Sequence, residues 1–327
     1  MSKAAITGMA AFVPEKVLTN ADFEKFLDTS DEWITQRTGI KERHVVSDGQ
    51  TTSTLAVAAA KKALAEANLT AEELDLIICA TVSPDMPMPS TACFVQHALG
   101  AGDTPAFDIM AACSGFIYAL TIGSQFIETG KYRKVLVIAG DSLTRLCDFE
   151  DRGSCILFGD AAGAAILEPA DDSDKGVQYT VMHADGGGWD LIHVPAGGSK
   201  APASAETVAQ RQHYIKMKGR DVYKFAVDKM QWLLGECMEK CNLTADDIDM
   251  VIPHQVNSRI IDSATRKFNF PAEKVYMNID RYGNTSGASV ALALAEAREK
   301  GKVKAGDTVL LIAFGAGLTW AGAVVKL

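Results

Sequence analysis

The chain has 327 residues, 48% of them hydrophobic and 22% charged, a balance that suits a globular protein with a substantial core and excludes a disordered one. Its formal net charge of −9 makes it a poor general binder of nucleic acid or of an anionic membrane, so an anionic partner has to dock on a local basic patch. Seven cysteines, at 79, 93, 113, 147, 155, 237 and 241, form no CxxC pair, and Cys237 and Cys241 have no histidine cluster nearby. Reduced thiols and no metal site are expected.

The first residues, Met-Ser-Lys-Ala-Ala-Ile-Thr-Gly, lack a charged segment leading into a long apolar core. No signal peptide is expected, and the location expected is cytoplasmic. A repeat comes next. Asn68-Leu-Thr-Ala-Glu-Glu-Leu-Asp-Leu-Ile-Ile78 returns as Asn242-Leu-Thr-Ala-Asp-Asp-Ile-Asp-Met-Val-Ile252, an offset of 174 residues, and Val135–Ala139 returns as Val309–Ala313 at the same offset. In each copy an amphipathic helix, Ser53–Ala67 or Asp221–Cys241, leads to Asn-Leu-Thr, whose threonine is suited to cap a short acidic turn. A continuous apolar run then reads as a strand buried on both faces. Alternating strands and helices predict an α/β fold of mostly parallel sheets covered by helices.

Ala106–Ile122 is nearly all apolar or small, and predicts a strand feeding a buried helix through Ala111-Ala112-Cys113-Ser114-Gly115. A thiol at a helix N-terminus is placed where the dipole and free N–H groups favour thiolate, although a buried inert cysteine is the competing reading. The polar bridge Asp171–Gly176 divides the chain into halves at 1–172 and 173–327. Pro195–Gln212, rich in Ala, Gly and Ser, reads as an exposed excursion.

The second-copy strand ends in Pro253-His254-Gln255-Val256-Asn257, which puts His254 at a strand's carboxyl end, where parallel sheets gather ligands. Gly283-Asn284-Thr285-Ser286 opens a small-residue helix, and its asparagine is either a helix cap or an amide aimed into a site. Phe314-Gly315-Ala316-Gly317 follows a buried strand, and its bare backbone suits an oxyanion. It matches no dinucleotide or phosphate-loop fingerprint, and neither does Phe158–Gly163. The apolar C-terminus, Thr308–Val325, is broken by Gly315, Gly317 and Gly322 and predicts a buried hairpin rather than a membrane helix.

Ala112–Phe116, Pro253–Asn257 and Gly283–Ser286, together with Asp31–Ile34, Arg37–Ile40, Asp151–Gly153 and Phe158–Asp160, resemble the β-ketoacyl-acyl-carrier-protein synthase III family of the thiolase superfamily, nearly end to end. The resemblance implies a layered α-β-α-β-α core of two pseudo-duplicated halves, the first carrying the nucleophile and the second the His/Asn pair. It implies an acyltransferase that joins an acyl-CoA, acetyl-CoA in the first instance, to malonyl-acyl carrier protein with loss of carbon dioxide, initiating fatty acid synthesis without a cofactor. Cys113 would carry the acyl group, with backbone N–H groups of Cys113 and Ala316 as the oxyanion hole, and His254 and Asn284 would hold the malonyl thioester oxygen. Trp33, Arg37, Arg152, Gly219 and Asn257 would bind CoA. Met88 and Phe314 would line the acyl pocket, with Met88 reaching across a homodimer. Lys224, Arg259, Arg266 and Lys267 would dock the carrier protein.

Three related chemistries lack their residues. A degradative thiolase would need a second cysteine near Gly315–Gly317. An elongating synthase would have a histidine in place of Asn284, and a hydroxymethylglutaryl-CoA synthase would need a glutamate in Thr81–Pro89, where Asp85 is the only carboxylate. A synthase III relative priming a polyketide or other secondary pathway with a different starter remains the alternative.

Overall fold

The computed structural model describes residues 2–172 and 174–327; Ser173, where the sequence divides the halves, lies outside the described residues, as does Met1. The principal elements of the first half are β1 (Ala4–Phe12), α1 (Asp31–Thr38), α2 (Thr52–Ala67), β2 (Leu76–Ala80), α3 (Thr91–Leu99), β3 (Ala106–Ile109), α4 (Gly115–Glu128), β4 (Val135–Ser142) and β5 (Asp160–Pro169). The second half supplies β6 (Gly176–Ala184), α5 (Gly219–Lys240), β7 (Met250–Pro253), α6 (Ser258–Arg266), α7 (Ala288–Glu299), β8 (Thr308–Gly315) and β9 (Thr319–Lys326).

The duplication in sequence is a duplication in topology. One sheet runs β1-β5-β4-β2-β3 and the other β6-β9-β8-β7, the same order without the last strand. In the second half that strand is reduced to a single parallel bridge between Val251 and Val275. The expectation of mostly parallel sheets is corrected here. β2 runs parallel to β3 and β4, and β7 to β8, but the remaining ladders are antiparallel. The β8–β9 ladder is the hairpin expected at the C-terminus: β8 returns as β9 through the three residues Ala316–Leu318, too few for the crossover that parallel pairing requires.

The apolar clusters define five layers. α2 packs on the outer face of the first sheet. α4 and α7 lie between the sheets, and their Phe116, Leu120, Val290 and Leu294 are buried with inward residues of both. α5 and α6 cover the outer face of the second sheet. A helix apolar on all sides, as α4 is, belongs in such a middle layer. The acidic turns form as expected: Glu73 accepts from the backbone N–H of Thr70 at 2.9 Å, and Asp247 from that of Thr244 at 2.8 Å.

The stretch 195–212 contains a short helix, Ala205–Ala209; Lys200 stands over the Trp189 ring at 4.3 Å, and Arg211 ties down its far end. Arg211 forms a two-pronged ion pair with Asp148, one prong at 3.0 Å, and reaches Glu150 at 3.2 Å. The Asp148 side chain is only 6% exposed, and Lys216 adds a third contact at 3.4 Å. These cations hold the Asp148 carboxyl below the usual range, at about 2. The excursion therefore braces the loop that leads into Arg152.

Candidate active site

The middle helices α4 and α7 enter the molecule at adjacent points, and the residues in front of them meet. Cys113 lies in a tight turn, Ala112–Ser114, just before α4. Ala112 adopts a φ of +47°, in the left-handed region, which turns Cys113 away from the path of β3. The end of β8 lies against this turn so closely that a Cβ on Gly315 would fall 2.6 Å from the backbone nitrogen of Cys113. Thr319, past the loop, donates its hydroxyl to the Ala111 carbonyl at 2.9 Å. The N–H of Ala316 makes no hydrogen bond among the described residues.

His254 ends β7 and is buried. Its Nδ1 lies 2.6 Å from Ser289 Oγ, its ring meets Phe314 edge to face at 5.6 Å, and its Nε2 is buried without a partner among the described residues. Burial pushes its pKa down to about 3, so the imidazole is neutral. Asn284, also buried, accepts a 2.9 Å hydrogen bond from Ser286 N–H at Oδ1, which fixes the orientation of its amide and leaves the NH2 group uncommitted. Ser286 Oγ lies 3.8 Å from Cys113 Sγ. One short segment, Asn284–Ser289, thus touches both Cys113 and His254.

Burial works against the thiolate-favouring setting expected at the start of the helix. Burial pushes the Cys113 thiol up to about 12; the Ser286 hydroxyl pulls the other way, and the nearby Asp141 carboxyl adds to the rise. Asp141 is itself buried and accepts at Oδ1 from Thr81 Oγ1, Val82 N–H and Ser83.

Models of the 3-oxoacyl-[acyl-carrier-protein (ACP)] synthase III family match residues 107–186, and of its C-terminal part residues 238–327. Over 323 residues the chain is 54% identical to the β-ketoacyl-[acyl-carrier-protein] synthase III of Caldanaerobacter subterraneus subsp. tengcongensis, covering 99% of this chain and 97% of that one. The chain belongs to the β-ketoacyl-[acyl-carrier-protein] synthase III family. The synthase III of Clostridioides difficile is 50% identical, covering 99% of this chain and 98% of the relative. The crystal structure of the synthase III of Aquifex aeolicus VF5 superposes with a TM-score of 0.91 at 47% identity, covering 99% of this chain and all of that one. A priming β-ketosynthase of the R1128 polyketide pathway gives 0.91 at 34%, covering 99% and 96%. Synthases of this family are acyltransferases, and the layered thiolase-like fold is shared with them.

The other residues singled out by the family resemblance fall into three groups. At one mouth, Arg152 stacks over Trp33 at 4.9 Å from the ring centre and Arg37 stands 5.6 Å from the same ring. Asn257 caps α6 and donates to the Arg37 carbonyl at 2.9 Å, so both ends of its amide are engaged within the protein. Gly219 opens α5 two residues before the helix start read from sequence, and a Cβ there would touch nothing. Lys224, Arg259, Arg266 and Lys267 are exposed on the packed helices α5 and α6 and at their margin, and none is in an ion pair among the described residues. Met88 points into solvent, 82% exposed, rather than into this chain's own site. Asp85 accepts from Ser53 N–H and Oγ and so ties down the start of α2.

Two contacts went unread in the sequence. In sequence Ser286 and Ser289 are only small residues at a helix start; Ser286 stands before the helix at a φ of +53°, so no helical spacing signals that it faces Cys113. Among the described residues no helix is long and apolar enough to cross a membrane.

Proposed function

We propose that the chain condenses an acyl-CoA, in the first instance acetyl-CoA, with malonyl-acyl carrier protein and so initiates fatty acid synthesis. The observation that carries this reading is the pair of uncommitted donors, His254 Nε2 and Asn284 Nδ2, held by the same segment that touches Cys113. Cys113 Sγ attacks the acyl-CoA carbonyl, the C–S bond to CoA breaks, and the CoA sulfur leaves with a proton. The backbone N–H groups of Cys113 and Ala316 hold the oxyanion. In the second stage His254 and Asn284 donate to the malonyl thioester oxygen. The bond to the carboxylate breaks, carbon dioxide leaves, and the enolate carbon attacks the acyl-Cys113 carbonyl, releasing the Cys113 sulfur. Both stages balance without a metal or a redox cofactor.

On this reading Trp33 and Arg152 part to take the CoA adenine between them, which suits an indole and a guanidinium. Arg37, Asn257 and Gly219 line the rest of the CoA path; the open space where a Gly219 side chain would stand supports its place there. Lys224, Arg259, Arg266 and Lys267 receive the acidic carrier protein. Phe314 and, from a second copy, Met88 close the acyl pocket. The exposed Met86, Met88 and Met110 beside the single-sided edge strand β3 support a homodimer. The free cysteines fit a reducing cytoplasm. Identity of 50 to 54% to synthase III relatives, against 34% to the polyketide-priming synthase, favours fatty acid initiation over secondary metabolism.

The test separates the two stages. Cys113→Ser is expected to lose covalent labelling by radiolabelled acyl-CoA. His254→Ala and Asn284→Ala are expected to keep labelling and to lose malonyl decarboxylation, at roughly 2 to 4 kcal/mol of barrier for each donor. Labelling of another cysteine, or loss of acylation with decarboxylation intact, sinks the reading.

A further inference from the structure

A neutral imidazole donates from one nitrogen and accepts at the other, so the use of His254 depends on where its proton sits. The contacts around it decide this. The Ser289 oxygen has two polar neighbours, His254 Nδ1 at 2.6 Å and the backbone N–H of Gln255 at 3.4 Å. An N–H can only donate, so Gln255 takes one of the two lone pairs of that oxygen; among the described residues the hydroxyl hydrogen has no acceptor within reach other than the imidazole, and only by donating to it does the buried hydroxyl avoid leaving that hydrogen unpaired. Nδ1 is then the accepting nitrogen, and the proton belongs on Nε2, the atom buried without a partner among the described residues.

The duplication provides a second, independent observation. At the offset of 174 residues, His254 and Ser289 correspond to Ala80 and Gly115 of the first half. There too the end of the strand meets the first turn of the helix: a Cβ on Gly115 would lie 2.9 Å from the Cβ of Ala80. The close approach is therefore built into the backbone of both halves. The first half keeps it with the two smallest residues, while the second fills it with a polar pair whose free end faces the site.

We infer that Ser289 is a positioning residue for the condensation: its hydroxyl donates to Nδ1, holds His254 as the Nε2–H tautomer, and presents one fixed N–H to the thioester oxygen of the extender substrate. The inference rests on the reading of His254 as a donor in the second stage. It also specifies what His254 does not do. With Nδ1 filled by the serine and Nε2 carrying a proton, the ring has no lone pair to take the Cys113 proton, so Ser289 supports decarboxylation and not acylation.

The test uses the full-length enzyme labelled with 15N-histidine. Six histidines are few enough for a long-range nitrogen–proton spectrum, with His254 assigned from the signals missing in His254→Asn. The wild-type ring is expected to show a protonated Nε2 and a bare Nδ1. In Ser289→Ala the Nδ1–H form should appear, and decarboxylation by pre-acylated enzyme should fall about tenfold, the value of one hydrogen bond, with Cys113 labelling within about twofold. Ser289→Thr should restore both the tautomer and the rate. An Nδ1–H pattern in the wild type overturns the inference even if Ser289→Ala fails to fold. A folded Ser289→Ala with unchanged tautomer and rate overturns it as well. The second result leaves the roles of Cys113, His254 and Asn284 standing, since those fail separately, on the alanine variants of His254 and Asn284; the first takes the donor role from His254 Nε2 as well, and His254→Ala with decarboxylation intact identifies that case.

Discussion

Ser286, whose hydroxyl lies 3.8 Å from the Cys113 sulfur, occupies in the second half the position that Ala112, the residue before Cys113, occupies in the first. Both residues sit in the left-handed region, at φ +53° and +47°. A non-glycine residue holds that conformation only where its surroundings enforce it. The same turn therefore stands at the head of both middle helices. In one copy it presents Cys113; in the other it sets Ser286 against Cys113 and Ser289 against His254.

The closeness of β8 to the Cys113 turn gives a prediction at a residue with no side chain. A Cβ on Gly315 would lie 2.6 Å from the Cys113 nitrogen and 3.1 Å from the Ala112 Cβ, and backbone cannot swing aside as a flexible side chain can. Gly315→Ala should push the turn outward, cost about 1 to 3 kcal/mol of stability by overpacking, and abolish acyl labelling although every catalytic residue is present. Gly219→Ala, where a Cβ meets nothing, should leave stability unchanged and act only on the KM for acyl-CoA. Denaturant unfolding and a labelling assay on the two variants check both halves of this contrast.

The two stages should differ in their dependence on pH. Burial pushes the Cys113 thiol up to about 12, so the thiolate fraction grows about tenfold with each pH unit below that value. The acylation rate should climb from about pH 6 to pH 9 without a plateau. Decarboxylation by pre-acylated enzyme should stay flat over about pH 5 to 9, because His254 is pushed down to about 3 and remains neutral throughout. The same shift affects stability. The unfolded histidine binds a proton below about pH 6.5 and the folded one does not, so stability falls as pH drops from about 6.5 towards 3, by up to about 1.4 kcal/mol per unit. His254→Gln should remove that part of the slope in acid unfolding. A plateau in acylation near pH 7 would show that the helix end and Ser286 outweigh burial at the sulfur.

If the basic patch receives the carrier protein, it should act by encounter. Arg259 and Lys267 are exposed and free of ion pairs among the described residues, on a chain of net charge −9. Arg259→Glu with Lys267→Glu should raise the KM for malonyl-carrier protein, with a weakening that mimics added salt, and should affect acyl-CoA acylation less. Steady-state kinetics against each substrate, at low and high ionic strength, measure this. Equal losses toward both substrates would assign Arg259 to the CoA path, next to Asn257, whose side chain it shares through a 2.9 Å backbone contact.

What could be read from sequence was whatever has a local or repeated signal. The offset repeat led to two equivalent sheets because buried strands must be continuously apolar, and Thr70 and Thr244 announced their turns through an acid three residues on. Strand direction differs from the expectation in three of the seven ladders of the two main sheets, β1–β5, β4–β5 and β6–β9, because an apolar run looks the same in parallel and antiparallel pairing. Ser289 was missed because its partner is 35 residues away, and Arg211 because Asp148 is 63 residues away. Neither separation leaves a periodic trace. The family resemblance supplied residue roles at the mouth, but not that Asn257 has both ends of its amide engaged, one of them on Arg37.

On the proposed reading, Met88 should tie the choice of starter to assembly. It is 82% exposed in the single chain, with Met86 and the 74% exposed Met110 also bare, beside β3, which pairs on one side only, with β2. Three unbranched apolar side chains next to an open strand edge are a surface that another copy would cover. A two-fold pairing of β3 with its mate would extend the five-stranded sheet across the dimer and carry the 86–89 loop to the partner's pocket, whose wall Phe314, edge to face with His254, would line on this reading. A closed apolar floor selects chain length by burial, each CH2 that fits adding about 0.8 kcal/mol and each that does not meeting a wall. Methionine bends aside more easily than a ring, so wild type should accept starters somewhat longer than acetyl. Met88→Phe should shift acylation toward acetyl-CoA and Met88→Ala toward longer chains, with malonyl decarboxylation unmoved in both. Competition assays with acyl-CoAs of increasing length read the shift, and sedimentation at micromolar concentration reads the dimer. A monomer, or a selectivity profile that ignores both substitutions, would refute the shared pocket.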